Sequence, residues 1–233
     1  MTMDKKLIFH HIPKSGGSSV MSSIARSLAR ATHARASFRK EPLFGRDFIN
    51  TDRSSAFFSS HYAFHKDHFT KNSEEFLFTW IRHPITMFYS SCEFYRQENR
   101  PLTTFWPENV RSELNRLHRD RSIAHYIDSV LNGDVNREDV FPTFYFDDDW
   151  DRYDFIGICE SFEPSLTALR PLVGMELPYL VTNVTKQTLR STPAQYEQFT
   201  RGYRYDELQH YFWEQIMDYD ALVEHIEDKY LCV

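Results

Sequence analysis

Two stretches of this chain combine residue types that suit the binding of a phosphate-like group. The first is Ile12-Pro13-Lys14-Ser15-Gly16-Gly17-Ser18-Ser19. Pro13 and Ser15 belong to a turn-rich segment, Gly16 and Gly17 let a backbone come close to an anion, and Ser18 and Ser19 add hydroxyl donors. Lys14 adds a full positive charge. At the start of a helix, such a loop gathers backbone N–H groups and the positive end of the helix dipole at one point. It is not a Walker A loop, which needs its lysine after the glycines; here Lys14 precedes them and no glycine stands upstream. The second stretch is Trp80-Ile81-Arg82-His83-Pro84, followed by Ser90 and Ser91. A guanidinium takes two oxygens of one phosphate at once, and a serine hydroxyl about two turns into the next helix can share that ligand.

The elements around these residues are those of an α/β protein. Lys5 to Ile12 has little polar interruption and predicts a buried parallel strand. Val20, Ile24 and Leu28 recur every four residues, so a helix is expected over Val20 to Ala31. Ala56 to Ser60 and Glu75 to Arg82 predict two further strands, the second rich in β-formers. Pro84 suits a first helical turn, with the helix running to Arg96. Further helices are expected over Arg111 to Asn132, broken near Asp120, and over Phe162 to Val173. A capped one is expected from Thr192 to Phe199, and one long one from Glu207 to Ile226. Asp154 to Cys159 predicts a strand. Arg82 would then stand at the carboxyl edge of the sheet, where ligands of open α/β folds bind. No internal repeat and no linker interrupts the pattern, so residues 1–233 read as a single domain.

Bulk properties narrow the classes of function. At 233 residues, 41% hydrophobic and 16% aromatic, the chain suits a globular core and not a disordered one. The formal charge of −6 argues against a general affinity for nucleic acid or anionic membrane, so any anion site must be local. Cys92, Cys159 and Cys232 contain no C-x-x-C pair, and neither a disulfide framework nor a zinc site is suggested. Leu7-Ile8-Phe9 is too short for a signal peptide or a membrane span, and a cytoplasmic chain with no membrane span is expected. Arg96, Arg100, Arg111, Arg116, Arg119 and Arg121 are interleaved with Glu98, Glu108, Glu113 and Asp120, the pattern of a solvated face with ion pairs. Asp147-Asp148-Asp149 lacks the spacing of a calcium loop and reads as an acidic surface turn.

Taken together, the two phosphate-suited stretches resemble the sulfotransferases that use 3′-phosphoadenosine-5′-phosphosulfate (PAPS). The form is closest to the carbohydrate, Golgi-type branch and in particular to the heparan and uronyl 2-O-sulfotransferases. Ile12 to Ser19 looks like the loop for the donor's 5′-phosphosulfate. Arg82 to Ser90, as R-x-P-x-x-x-x-x-S, looks like the segment for its 3′-phosphate. Phe57 to Phe64 is similar to the stretch that carries the catalytic histidine, which puts His61 in that place. Phe155 to Glu160 looks like the late strand ending in Glu. Asn183 to Thr188 looks like the loop that closes over the nucleotide, which implies Thr185 and Lys186 as donor contacts. Met87 stands where relatives often have a second arginine, and Ser59 where the 2-O enzymes have another histidine. The sequence is also shorter than those enzymes, and no membrane anchor like theirs is expected within it. The resemblance therefore bears on the donor more narrowly than on the acceptor.

What the resemblance implies is a P-loop-like central parallel sheet flanked by helices, the sulfotransferase fold. The activity would be transfer of the sulfuryl group from PAPS to an acceptor hydroxyl, on a carbohydrate, with adenosine 3′,5′-bisphosphate as product and no metal. Lys14 would stabilise the charge growing on the leaving phosphate. His61 would accept the acceptor's proton, since imidazole titrates near working pH. His11 and Glu160 stay open as bases among eleven histidines and the family's late Glu. Two other readings stay open beside the transferase: a P-loop kinase of a small molecule, disfavoured by the position of Lys14, and a binder of adenosine bisphosphates without chemistry.

Overall fold

A computed structural model describes residues 5–12, 14–32, 57–60, 73–96, 127–128, 130–133, 150–180 and 204–231. The chain divides into two compact units. The first comprises residues 1–82, 147–183 and 220–233, and the second residues 83–146 and 184–219.

The first unit is built on a four-stranded sheet. Strands β1 (Lys6–His10), β2 (Phe57–Ser60), β3 (Glu75–Ile81) and β4 (Phe155–Ile158) lie in the order β2-β1-β3-β4. Every pairing is parallel, with Leu7 opposite Phe57 and Phe76, and Phe78 opposite Phe155. Parallel strands are covered on both faces, and β3 is buried along its whole length. On one face Leu7, Phe9, Phe76, Phe78, Trp80 and Phe155 pack with Val20, Ile24 and Leu28 of α1 (Gly17–Thr32). Leu166, Leu169 and Val173 of the later helix Phe162–Val173 complete that core. The expected α1 periodicity of four thus faces the sheet as predicted. The opposite face buries Ile8, Leu77, Thr79, Ile156 and Ile158.

Local features explain why these segments fold as they do. A Cβ on Gly157 would fall inside the indole of Trp80, so the glycine in β4 makes room for the largest fully buried side chain of the chain's described core. Ile158 N–H donates to Ser165 Oγ at 2.9 Å, which satisfies a ladder donor on the last strand of the sheet. Gly174 ends the helix Phe162–Val173 in the left-handed conformation, its N–H donating to Arg170 O. Near the C-terminus, a π-helical turn over Glu227–Leu231 docks on β4. There Tyr230 Oη donates to Asp154 O at 3.0 Å, and its ring lies 5.2 Å from that of Phe155.

In the second unit, α2 (Pro84–Arg96) begins at the predicted proline, and Thr86 Oγ1 donates to His83 O at 3.0 Å. The expected helix Glu207–Ile226 is instead two. With Phe162–Val173 as α3, these are α4 (Tyr205–Tyr211) and α5 (Trp213–Ile226). The break falls at Phe212, whose backbone leaves helical geometry at φ −103°. Its fully buried ring packs on Phe88, with centroids 5.5 Å apart. Periodicity alone does not register this interruption, because the apolar spacing continues through it. α4 is anchored by Arg204, which donates to Asp128 Oδ1 and Glu207 Oε2, each at 2.6 Å. The expected helix Thr192 to Phe199 lies outside the described residues, as does most of Arg111 to Asn132, of which residues 127–128 and 130–131 are helical.

Candidate functional site

The strand order creates the site. From β1 the chain passes to β2 on one side; from β2 it returns across β1 to β3 on the other. The carboxyl ends of β1 and β3 therefore flank a topological switch point, the place where open α/β sheets bind ligands. The loop of Lys14 to Ser19 follows β1, and Arg82 follows β3. The loop of Lys14 to Ser19 and Arg82 thus meet at one edge of the sheet. Arg82 Nη1 donates to the carbonyl of Lys14 at 2.9 Å. Glu160, just beyond β4, brings its Oε1 to 3.9 Å from Arg82 Nε.

The loop is tightly specified. Lys14 sits in left-handed conformation at φ 66°, which costs a non-glycine residue about 1 kcal/mol and is held only when its surroundings enforce it. The bond from Arg82 is one such enforcement. Gly16, at φ 78°, needs the same conformation and has no Cβ to oppose it. The space beside it is closed by Cys159 Sγ and the ring of Phe162, 3.4 and 3.5 Å from where a Cβ would stand. Ser19 and Val20 donate backbone N–H to Gly16 O at 2.9 and 3.2 Å, so the loop turns directly into the first turn of α1. That turn carries the positive end of the helix dipole to the loop. Ser15 and Ser19 are buried, while Lys14 and Ser18 keep part of their surface.

Gly17 has a different reason. A Cβ there would overlap the imidazole of His11, a buried ring stacked on Phe9 at 5.4 Å and 15°. The expectation that both glycines admit an anion is thereby refined. Gly16 supplies the backbone conformation, and Gly17 gives up its side chain to a histidine. Strand alternation sends His10 to the other face. There its Nδ1 meets Tyr153 Oη at 2.5 Å, and Arg152 Nη2 donates to the same phenol at 3.1 Å. Of the two adjacent histidines, it is His11 whose ring lies against the loop.

Among the described residues, Lys14, Arg82 and Glu160 bring charge to this edge. Burial pushes the Cys159 thiol up to about 11, with Arg82 pulling it down and Glu160 pushing it further up, so it remains a neutral thiol beside them. His83 packs edge-on against Tyr219 with centroids 5.3 Å apart. Ser90 is half-buried on α2 in the second unit. Pro13, His61, Thr185 and Lys186 lie outside the described residues. The strand that leads to His61 is described: β2 ends at Ser60 opposite His10, so it runs to the same sheet edge as β1. Among the described residues no group of three or more His, Cys, Asp or Glu is arranged to hold a metal ion. Among them also no helix is long and apolar enough to cross a membrane.

Two contacts, one at the site and one on the opposite face of the sheet, were not readable from the sequence. Glu160 reads there as the end of a strand and an open candidate base, with nothing to tie it to Arg82, 78 positions earlier. The His10–Tyr153 contact spans 143 positions, and an ordinary Arg-Tyr pair gives no sign of it. Compared with known proteins, the chain matches no family model, no curated protein and no solved structure.

Proposed function

We propose that this chain is a PAPS-dependent sulfotransferase acting on an acceptor hydroxyl, of carbohydrate type, and that its fold is the P-loop-like fold of that family. One observation carries the reading: Arg82 Nη1 is bonded to the Lys14 carbonyl at the switch point of a parallel sheet. A donor with a 5′-phosphosulfate and a 3′-phosphate needs cationic groups, and the Arg82 guanidinium is held on the backbone of the loop that carries Lys14. In this reading the loop amides and Lys14 hold the phosphosulfate and stabilise the leaving phosphate as the S–O bond breaks. Arg82 takes the 3′-phosphate, and the resemblance adds Ser90, Thr185 and Lys186 as donor contacts. His61 removes the proton of the attacking hydroxyl, so the sulfuryl group passes from phosphate oxygen to acceptor oxygen. No metal takes part.

The residues present fit the donor's charge. The loop combines a lysine, a helix start and a φ that only enforced packing maintains, and a guanidinium stands beside it. The test is a thermal-shift comparison of adenosine 3′,5′-bisphosphate, ATP and AMP, followed by transfer from labelled PAPS to a panel of hydroxylated acceptors. Stabilisation by the bisphosphate above ATP and AMP, with label reaching an acceptor, is expected. Preference for ATP would favour a kinase. Bisphosphate binding without transfer to any acceptor would favour a binder that lacks chemistry.

A further inference from the structure

We propose that the outer face of α5 docks a basic amphipathic segment of another protein. Its apolar residues would lie on Trp213 and Met217, and its Lys or Arg side chains on the carboxylates that follow. α5 buries Gln215, Tyr219, Leu222 and Ile226, which recur at helical spacing and define its inner side. The opposite side carries Trp213, Met217, Asp220 and Glu224, spaced by four, three and four residues. These four therefore share one stripe about 17 Å long. All four are exposed, and Trp213 and Met217 keep 55% and 60% of their surface. Single apolar residues scattered on a surface are ordinary. A tryptophan and a methionine one turn apart are a pair of the types that protein interfaces gather.

Charge selects the partner. Tyr205 to Asp228 contains eight Asp and Glu and no Lys or Arg, more negative charge than the −6 of the whole chain. Asp220 and Glu224 form no ion pair among the described residues. The stripe is thus apolar at its N-terminal end and anionic at its C-terminal end. That order disfavours the other occupants. Two copies of α5 related by a two-fold axis would set carboxylate on carboxylate when parallel, and the apolar pair on carboxylates when antiparallel. An anionic bilayer is repelled by Asp220 and Glu224. A basic amphipathic helix with the same four-three-four spacing matches both ends. Its charges speed the encounter and fix the direction in which it lies.

The experiment pans two display libraries of helical peptides, each about five turns or roughly 18 residues long, against the full chain. One library combines Lys and Arg with apolar residues on a four-three-four stripe; the other has Glu wherever the first has Lys or Arg. Enrichment from the basic library alone is expected. Selected peptides should bind Trp213→Ala roughly tenfold or more weakly. They should bind the Asp220→Asn, Glu224→Gln double variant roughly two- to thirtyfold more weakly, the worth of two exposed ion pairs. High salt should shrink the second loss and leave the first. The Tm of both variants should match the native chain, because every substituted side chain is exposed. Equal enrichment from both libraries, none from either, or peptides that bind both variants as they bind the native chain overturns the proposal. Dimerisation of the native chain in sedimentation that Trp213→Ala abolishes overturns it in favour of a second copy. Binding to phosphatidylserine vesicles that Trp213→Ala abolishes overturns it in favour of a membrane.

Discussion

Replacing Gly17 by alanine tests the most specific packing statement made about the loop. The position does not require a left-handed backbone, so the penalty is one of space. The added methyl overlaps the ring of His11, which cannot withdraw freely because it is buried and stacked on Phe9. Overpacking of this kind costs about 1–3 kcal/mol. Against it stands the helix propensity of alanine over glycine, up to about 1 kcal/mol. The net loss should be roughly 1–2 kcal/mol, which for a chain of this size lowers Tm by about 2–8 °C. Differential scanning fluorimetry across wild type, Gly17→Ala, His11→Ala and the double variant reads it as a cycle. His11→Ala vacates the space, so in that background Gly17→Ala should be neutral or stabilising. A Tm for Gly17→Ala at or above wild type would refute the packing argument. So would the same loss with and without the His11 ring. The clash also moves the start of α1, so bisphosphate binding should weaken in Gly17→Ala and return in part in the double variant.

Other expectations follow from the same geometry. Lys14→Ala should leave the fold intact and lower transfer from labelled PAPS by an amount corresponding to about 3–4 kcal/mol. Lys14→Gly should lose transfer equally yet gain about 1 kcal/mol of stability in denaturant titration, because the strain at φ 66° is relieved. Arg82→Ala should weaken the bisphosphate by roughly 1.5–3 kcal/mol more than AMP in calorimetry; equal weakening would assign Arg82 only to the loop. His61→Ala should spare donor binding, slow transfer about 10²–10⁴-fold, and abolish the acid limb of the pH–rate profile. Survival of both rate and limb would move the base to His11 or Glu160. The Cys159 thiol is raised from 9.0 to about 11 in the folded protein. Between those values the folded state binds the proton more tightly than the unfolded one. Its contribution is therefore complete below pH 9 and lost as pH rises toward 11. Cys159→Ala should flatten that decline in alkaline denaturation curves.

Local pattern determined much of this protein. The apolar runs of β1 and β3 and the fourfold spacing of Val20, Ile24 and Leu28 follow from burial on a parallel sheet, and each element stands within a few residues of its predicted bounds. The start of α2 at Pro84 and the full extent of α3 were legible for the same reason, since fixed φ and amphipathic period act over a few residues. The two phosphate-suited stretches were legible as chemistry, because lysine, glycine, serine and arginine carry their charge and backbone freedom wherever they stand. Only the tertiary structure decided what joins them. Strand order brings Lys14 and Arg82 to one switch point across 68 positions, and parallel pairing sets Glu160 beside them. The alternation of β1 turns His11 toward Gly17 and His10 toward Tyr153. These partners are chosen by which strands pair and which faces are covered, a property of the whole sheet that no window of sequence contains.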